Sequence, residues 1–158
     1  MDNERIAKLS AEMKGQLWLI DKVDKRLRSR VDDGLNTPGQ LDSVAYQIHN
    51  LYCAIEDLLQ YVASTFENNV GSDGGWHRLL LLRLSQPIKG IRPALLSEDL
   101  LILMDKLRSF RYLFRHAYGS DMELIQLKPN LDNALQLYPL VERDIDNFLR
   151  ELAESQKE

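Results

Sequence analysis

Residues 44–66, which read VAYQIHNLYCAIEDLLQYVASTF, decide the fold. Apolar side chains recur three or four positions apart along this stretch, the spacing that places them on one side of an α-helix. They are Val44, Ile48, Leu51, Tyr52, Ile55, Leu58, Leu59, Val62 and Phe66. The stretch therefore predicts a long amphipathic helix, with Asp42 or Ser43 able to cap its first turn.

The same period predicts a helix on either side of this central one. The first runs from about residue 3 to residue 31. Residues 32–40 contain two glycines and a proline, which supply turn conformations, so we expect a connecting loop there. A short apolar helix is expected from Trp76 to about Leu84, after a glycine-rich break.

Two further helical stretches complete the chain. A helix is expected over residues 98–118, with Ser97 as its N-cap and two acids in its first turn. The tail is helical from Pro129 to about Ser155, and Pro139 should kink or split it because proline removes a backbone donor. No stretch shows sustained alternation of apolar and polar residues. The sequence therefore predicts an all-α, single-domain bundle of four to five helices that spans the whole chain.

Composition narrows the class of protein. A chain of 158 residues can bury a core without staples, and a single cysteine, Cys53, excludes an intrachain disulfide and a thiol-rich metal site. The net charge of -4 argues against a broad surface for coating polyanions. No apolar run approaches the roughly 20 residues of a membrane span. We expect a cytoplasmic protein with no metal, no cofactor and no membrane association.

The helix over residues 98–118 carries the candidate chemistry. On a helical wheel its apolar residues fill one arc, and the opposite arc receives Arg108, Arg111, Tyr112, Arg115, His116 and Tyr118. A solvated charged face is the ordinary explanation of such a strip. However, residues 106–118 contain no acid, so the arginines require an anion from elsewhere, either a carboxylate of another helix or a bound phosphate.

These residue types meet the needs of RNA cleavage through the 2′-hydroxyl. The reaction needs a base, an acid and cations for the charge that develops on the phosphate. One imidazole cannot easily perform both proton transfers, whereas a two-fold dimer would bring together two copies of His116. Arg111 and His116 also lie about 140° apart around the helix and about 7.5 Å along it. A composite site built by two chains is therefore favoured.

Residues 111–118, RYLFRHAY, have the form Arg, four residues, His, one residue, Tyr. This run resembles the signature of HepT toxins in the HEPN superfamily. Landmarks in the same order extend the resemblance over roughly residues 41–150: Leu51–Tyr52, Ile55–Glu56, Trp76–His77, Arg92–Pro93, Phe110–Arg111 and Arg115–Gly119. The resemblance implies a metal-independent, dimeric endoribonuclease in which Arg111 and His116 are catalytic.

The resemblance also implies a partner and a modification. HepT toxins are paired with a minimal nucleotidyltransferase antitoxin of the MntA type, which transfers AMP from ATP to the motif tyrosine, here Tyr118. The sequence departs from the superfamily pattern at Tyr112, where a small polar residue or a histidine is common. Tyr112 precedes His116 by one helical turn, so we expect it to stack on the imidazole or to hydrogen-bond to it.

The first hypothesis is thus a toxin that cuts RNA, such as tRNA or mRNA, with Arg108, Arg115 and Tyr112 binding the substrate. Glu56 is either a supporting partner of Arg111 or Arg115, or an ordinary exposed acid. His49 is expected to be a structural or surface residue, and His77 is expected to serve in packing or in capping a helix. The alternative hypothesis is a non-catalytic helical module whose basic strip binds a nucleotide or an acidic partner. A third is that the chain is the antitoxin half of its pair.

Overall fold

The computed structural model describes residues 1–67, 75–116 and 121–157, which form six α-helices. They are α1 (Asn3–Asp33), α2 (Pro38–Phe66), α3 (Trp76–Leu84), α4 (Glu98–His116), α5 (Leu124–Ala134) and α6 (Leu137–Ser155). The described ranges hold no β-strand beyond an isolated bridge between Ile88 and Arg92. The all-α class is confirmed, and the tail that counted as one helix in the sequence is two.

The connection between α1 and α2 is shorter than the sequence predicted. The assignment of Asp42 or Ser43 as the N-cap is wrong, because Thr37 caps α2 in a reciprocal capping box with Gln40. The Gln40 N–H donates to Thr37 Oγ1 at 3.1 Å, and the Thr37 N–H donates to Gln40 Oε1 at 3.2 Å. Pro38 occupies the first helical position, where a missing N–H has no consequence for hydrogen bonding. Pro38, which suggested a loop in the sequence, is instead the first residue of α2.

The tail divides beside Pro139, as expected, but begins earlier than predicted. Helix α5 starts at Leu124 and contains Pro129 in its interior. The chain then breaks over residues 135–136, and Pro139 lies in the first turn of α6. Pro139 has no N–H for the carbonyl of Leu135, four residues earlier, and Arg28 Nη2 donates to that carbonyl at 2.8 Å instead. The split is therefore stabilised by a contact from α1.

Helix α2 is the centre of the bundle and contacts α1, α3, α4 and α5. One hydrophobic core draws side chains from all six helices. Helix α4 is held by four inward side chains, Leu100, Met104, Leu107 and Phe110, all at most 2% exposed. Burial of each contributes roughly 1.5–3 kcal/mol. This anchoring fixes which side of α4 faces the solvent.

The start of α4 is fixed to α6. Ser97 Oγ accepts the N–H of Leu100 at 3.3 Å, as predicted for an N-cap. The Ser97 N–H donates to Asp144 at 2.8 Å, and Arg143 donates to Ser97 Oγ at 2.8 Å. The first turn is therefore held firmly, and the strip of cationic residues lies toward the other end of the helix. Among the described helices, none combines the length and apolar character that crossing a bilayer requires.

Candidate functional site

The C-terminal half of α4 presents a polar face to solvent. Tyr112, Arg115 and His116 are exposed, and Arg108 is half-buried. Tyr118 and Ala117 lie outside the described residues. The surface predicted for the chemistry is thus turned outward for these side chains and is not sealed against the bundle.

Tyr112 and His116 form the ring contact expected from their spacing. Their centroids lie 4.4 Å apart with the planes at 41°. Tyr112 nevertheless keeps 66% of its surface exposed, so only part of its ring is occupied by the imidazole. The contact restricts the orientation of His116 and leaves an aromatic surface available beside it.

Arg111 departs from the wheel, which placed it with the solvent-facing residues. It is half-buried, and its Nε atom is closed to solvent. The reason lies in its position: Arg111 follows Leu107 by four residues and Met104 by seven, and both are fully buried. Arg111 therefore stands at the edge of the inward face, with its guanidinium against α2. The assignment of Arg111 to the outer arc is wrong.

The side of α2 opposite Arg111 carries four polar residues at helical spacing, His49, Tyr52, Cys53 and Glu56. We call these four residues, together with Arg111, the polar seam. The His49 ring stacks on Phe114 of α4 with centroids 4.7 Å apart, and Cys53 Sγ lies 3.6 Å from His49 Nε2. The His49 end of the seam thus lies at the contact between α2 and α4.

The electrostatics of the seam give its register. Burial lowers the pKa of His49, and the nearby guanidiniums of Arg111 and Arg115 lower it further. Arg111 and Arg108 act in the same way on Tyr52, one turn further along α2. Residues later in α2 are therefore near arginines that come earlier in α4. Together with the stacking of His49 on Phe114, this indicates that the two helices run antiparallel, with Arg111 opposite the stretch between His49 and Tyr52.

Two groups of the seam stay protonated. Burial raises the pKa of the Tyr52 phenol, with the Glu56 carboxylate adding to the effect and Arg111 opposing it. The hydroxyl lies near that carboxylate without a hydrogen bond of good geometry, so its oxygen is unpartnered among the described residues. Burial also raises the pKa of the Cys53 thiol. Cys53 is consequently a weak nucleophile.

Glu56 joins the seam to α3. Its carboxylate is 6% exposed, and Oε2 lies 2.7 Å from His77 Nδ1. The Trp76 ring covers His77 with centroids 3.8 Å apart. The option of an exposed acid is wrong for Glu56. In the described part of the chain it forms no ion pair with Arg111 or Arg115, and its direct partner is His77.

Several buried polar atoms are left without partners at this contact. Six such side-chain atoms occur among the described residues, and three of them belong to the seam: His49 Nδ1, the Tyr52 hydroxyl oxygen and Arg111 Nε. Each unsatisfied buried group costs about 1–3 kcal/mol. Apolar residues would avoid that penalty, so stability alone does not account for the cluster.

A family comparison covers this whole arrangement. A family model described as HepT-like protein matches residues 43–152, which include nearly all of α2 and the whole of α3 to α5. The chain belongs to the HepT-like family. No curated protein and no solved structure matches it. At the level of the family, HepT-like proteins of the HEPN type are associated with ribonuclease toxins and with toxin–antitoxin pairs.

The cationic strip of this HepT-like chain has one acidic neighbour that the sequence argument overlooked. Asp105 lies just before the acid-free stretch, and its Oδ1 accepts from Arg108 Nε at 3.1 Å. Both side chains are substantially exposed, at 35% for Arg108 and 52% for Asp105. Such a pair contributes at most about 1 kcal/mol. Arg108 is therefore restrained by Asp105 but remains able to meet an anion.

The sequence named the outer residues of the candidate site together with Arg111 and Glu56, and it assigned no site role to His49, Tyr52 or Cys53. Of these three, Tyr52 alone falls in a landmark of the family resemblance. The available signal was their spacing, because with Glu56 they occupy positions i, i+3, i+4 and i+7 of the central helix. In the described ranges, no cluster of three or more His, Cys, Asp or Glu side chains is placed to hold a metal ion.

Proposed function

We propose that this HepT-like protein is a metal-independent endoribonuclease toxin that cuts RNA at a site shared by two copies of the chain. The observation that supports this most directly is the outer face of α4. There an exposed histidine lies against an exposed tyrosine beside Arg115, on a chain whose net charge is -4. A local cationic surface of this kind suits an RNA phosphate. The whole chain would act as one HEPN-like domain in the cytoplasm.

The reaction follows from the chemistry of RNA. His116 of one copy removes the proton of the 2′-hydroxyl, and that oxygen attacks the adjacent phosphorus. The bond to the 5′-oxygen breaks, and this leaving oxygen takes a proton from the second copy's imidazole. Arg111 binds the scissile phosphate, while Arg108 and Arg115 neutralise the charge that accumulates on it. The products are a 2′,3′-cyclic phosphate and a 5′-hydroxyl.

The dimer is supported by the surroundings of His116. Tyr112 and Leu113 lie on the same outer face of α4 as His116 and are 66% and 37% exposed. Ile102, 45% exposed, continues this face about 21 Å nearer the start of the helix. Exposed apolar side chains grouped on one helix face favour an interface, and identical chains associate most often about a two-fold axis. Arg111, in contrast, points toward α2, so one chain separates its two catalytic residues.

The decisive experiment is RNA cleavage by the purified protein in EDTA, with total RNA and tRNA as substrates. His116→Ala should abolish cleavage and growth inhibition, because general acid–base catalysis contributes about 10²–10⁴-fold. Its helical circular dichroism should be unchanged, since the side chain is exposed. Lys106→Ala, an exposed change on the same helix, serves as the control. Cleavage retained by His116→Ala would exclude the mechanism.

The requirement for two copies of the chain at one site can be tested separately. Leu113→Glu places a charge on the outer face of α4 without disturbing the core, since Leu113 is 37% exposed. The variant should remain helical, elute as a monomer and lose cleavage. A monomeric variant that still cuts RNA would refute the composite site while leaving the nuclease assignment intact.

We further propose that a nucleotidyltransferase antitoxin of the MntA type silences the protein by transferring AMP to Tyr118. The family and the position of the motif tyrosine support this; Tyr118 itself lies outside the described residues. The expected result is a mass increase of one or more AMP units after incubation with the partner enzyme and ATP. The Tyr118→Phe variant should show no increase, and the same modification of that variant would exclude Tyr118.

One observation favours a second candidate function, a non-catalytic module that binds a nucleotide or an acidic partner. Tyr112 departs from the family pattern and partly covers His116. On this hypothesis RNA stays intact at high protein concentration in the same EDTA assay. Expression of the chain alone also separates a toxin from an antitoxin half, because only a toxin arrests growth by itself.

A further inference from the structure

The polar seam poses a question that the proposed reaction leaves open, namely what holds Arg111 in place. Arg111 is the only member of the seam on α4, and its Nε is closed to solvent without a partner. A guanidinium on a long side chain has many rotamers, and catalysis requires one of them. The neighbours on α2 are the available means of selecting it.

Tyr52 is placed to do so. It is 1% exposed, and its hydroxyl lies near the Glu56 carboxylate. The stacking of His49 on Phe114 places Tyr52, three residues further along α2, opposite Arg111, three residues back along α4. A phenol can donate its proton to a carboxylate and accept a guanidinium N–H at the same oxygen. Glu56 in turn is fixed by His77, whose Nδ1 lies 2.7 Å from Oε2. The groups form a chain from α3 through α2 to α4.

We propose that Tyr52, Glu56 and His77 are positioning residues that orient Arg111 for the phosphate. His77 holds the Glu56 carboxylate, Glu56 orients the Tyr52 hydroxyl, and that hydroxyl accepts from the Arg111 guanidinium when substrate is bound. The unpartnered Tyr52 hydroxyl and Arg111 Nε are then hydrogen-bonding capacity that the site uses during the reaction. This inference rests on the proposed nuclease function for its kinetic consequence, but its structural content does not.

The kinetic test is a double-mutant cycle between Tyr52→Phe and Arg111→Lys. In the parent protein Tyr52→Phe should lower kcat roughly tenfold with KM changed less than about twofold, because the interaction acts on the transition state. In the Arg111→Lys background the same change should alter kcat less than about twofold. Equal losses in both backgrounds would show that Tyr52 does not act through Arg111. Glu56→Gln and His77→Asn should behave as Tyr52→Phe does.

The chain supplies a matched control. Tyr138 and Glu142 of α6 repeat the spacing of Tyr52 and Glu56, and the Tyr138 hydroxyl donates to Glu142 at 3.0 Å. Tyr138→Phe and Glu142→Gln should leave kcat and KM unchanged. The melting temperature separates the positioning role from a purely structural one. Because Tyr52→Phe deletes an unpartnered hydroxyl, the positioning role predicts that the melting temperature is unchanged or higher while the activity falls. A purely structural role predicts that the melting temperature falls together with the activity.

A measurement without RNA separates this inference from the nuclease proposal. With saturating inorganic phosphate in place of the RNA phosphate, the Nε–H resonance of Arg111, assigned by its loss in Arg111→Lys, should exchange slowly in the parent and in Tyr138→Phe. Exchange should be several-fold faster in Tyr52→Phe and Glu56→Gln. Unchanged exchange in both would overturn the positioning role whether or not the protein cuts RNA. Faster exchange in a protein that cuts no RNA would retain the positioning role and reject the nuclease.

Discussion

Removal of the Tyr112 ring should weaken RNA binding more than it slows the chemistry. The ring is 66% exposed and contacts His116 with centroids 4.4 Å apart, so about one face remains for a substrate base. Stacking of a base on an aromatic side chain is worth about 1–3 kcal/mol, and 1.4 kcal/mol corresponds to a factor of ten. Because a single base stacks and the ring edge remains exposed to solvent, we take a value near the lower end of this range. We therefore expect KM to rise about tenfold in Tyr112→Ala.

The assay uses a short single-stranded RNA in EDTA, with initial rates measured over a range of substrate concentrations. Tyr112→Phe keeps the ring and should retain a KM within about twofold of the parent, as expected for stacking. The decrease in kcat for Tyr112→Ala should be smaller than the increase in KM, because His116 loses a restraint but remains in place. If Tyr112→Ala binds RNA as well as the parent does, or if Tyr112→Phe is equally impaired, the ring is not a stacking platform.

Three further variants test other parts of the structure. The pKa of His49 is lowered by burial and by Arg111 and Arg115, so the unfolded chain binds the proton more readily than the folded chain does. The free energy of unfolding should therefore fall as the pH drops below about 6.5. Urea titrations at pH 8 and pH 5.5 measure this difference, and His49→Phe should reduce it. Thr37→Ala removes the cap of α2 and should lower the free energy of unfolding by about 1 kcal/mol without changing cleavage, since Thr37 lies about 18 Å along the helix from His49. Asp105→Asn releases Arg108 and should lower KM for RNA at low salt, with the difference disappearing at high salt.

The periodicity of apolar residues was sufficient to locate the helices. The bounds of α3 and the start of α4 agree with prediction because glycines and a capping serine surround them. Periodicity works here since each helix buries one face against a shared core. Proline was harder to interpret. Its ring fits the first turn of a helix and is disfavoured in the interior, so Pro38 starts a helix and Pro139 follows a break, whereas Pro129 is accommodated inside α5.

The inner half of the site could not be predicted in the same way. Each helix, taken alone, assigns its polar residues to solvent, because water is the default partner of a polar group. The polar edge of α4 contacts the polar positions of α2 in the fold. In the sequence, however, each of the two patterns is that of an ordinary solvent-exposed helix face. Arg111 shows the consequence: its spacing from Met104 and Leu107 places it beside the core, yet its charge favoured the outer arc.

Such a seam can be recognised only when two helices are considered together. Four polar residues at positions i, i+3, i+4 and i+7 of the most buried helix are not explained by solvation, since that helix has neighbours on several sides. They require a polar partner, and the acid-free cationic stretch of α4 requires one as well. On the proposed positioning role, the two requirements meet at Tyr52 and Arg111. In a helical bundle, polar residues of a central helix that solvation does not explain therefore indicate where a neighbouring helix turns polar groups inward, as α4 does here with Arg111.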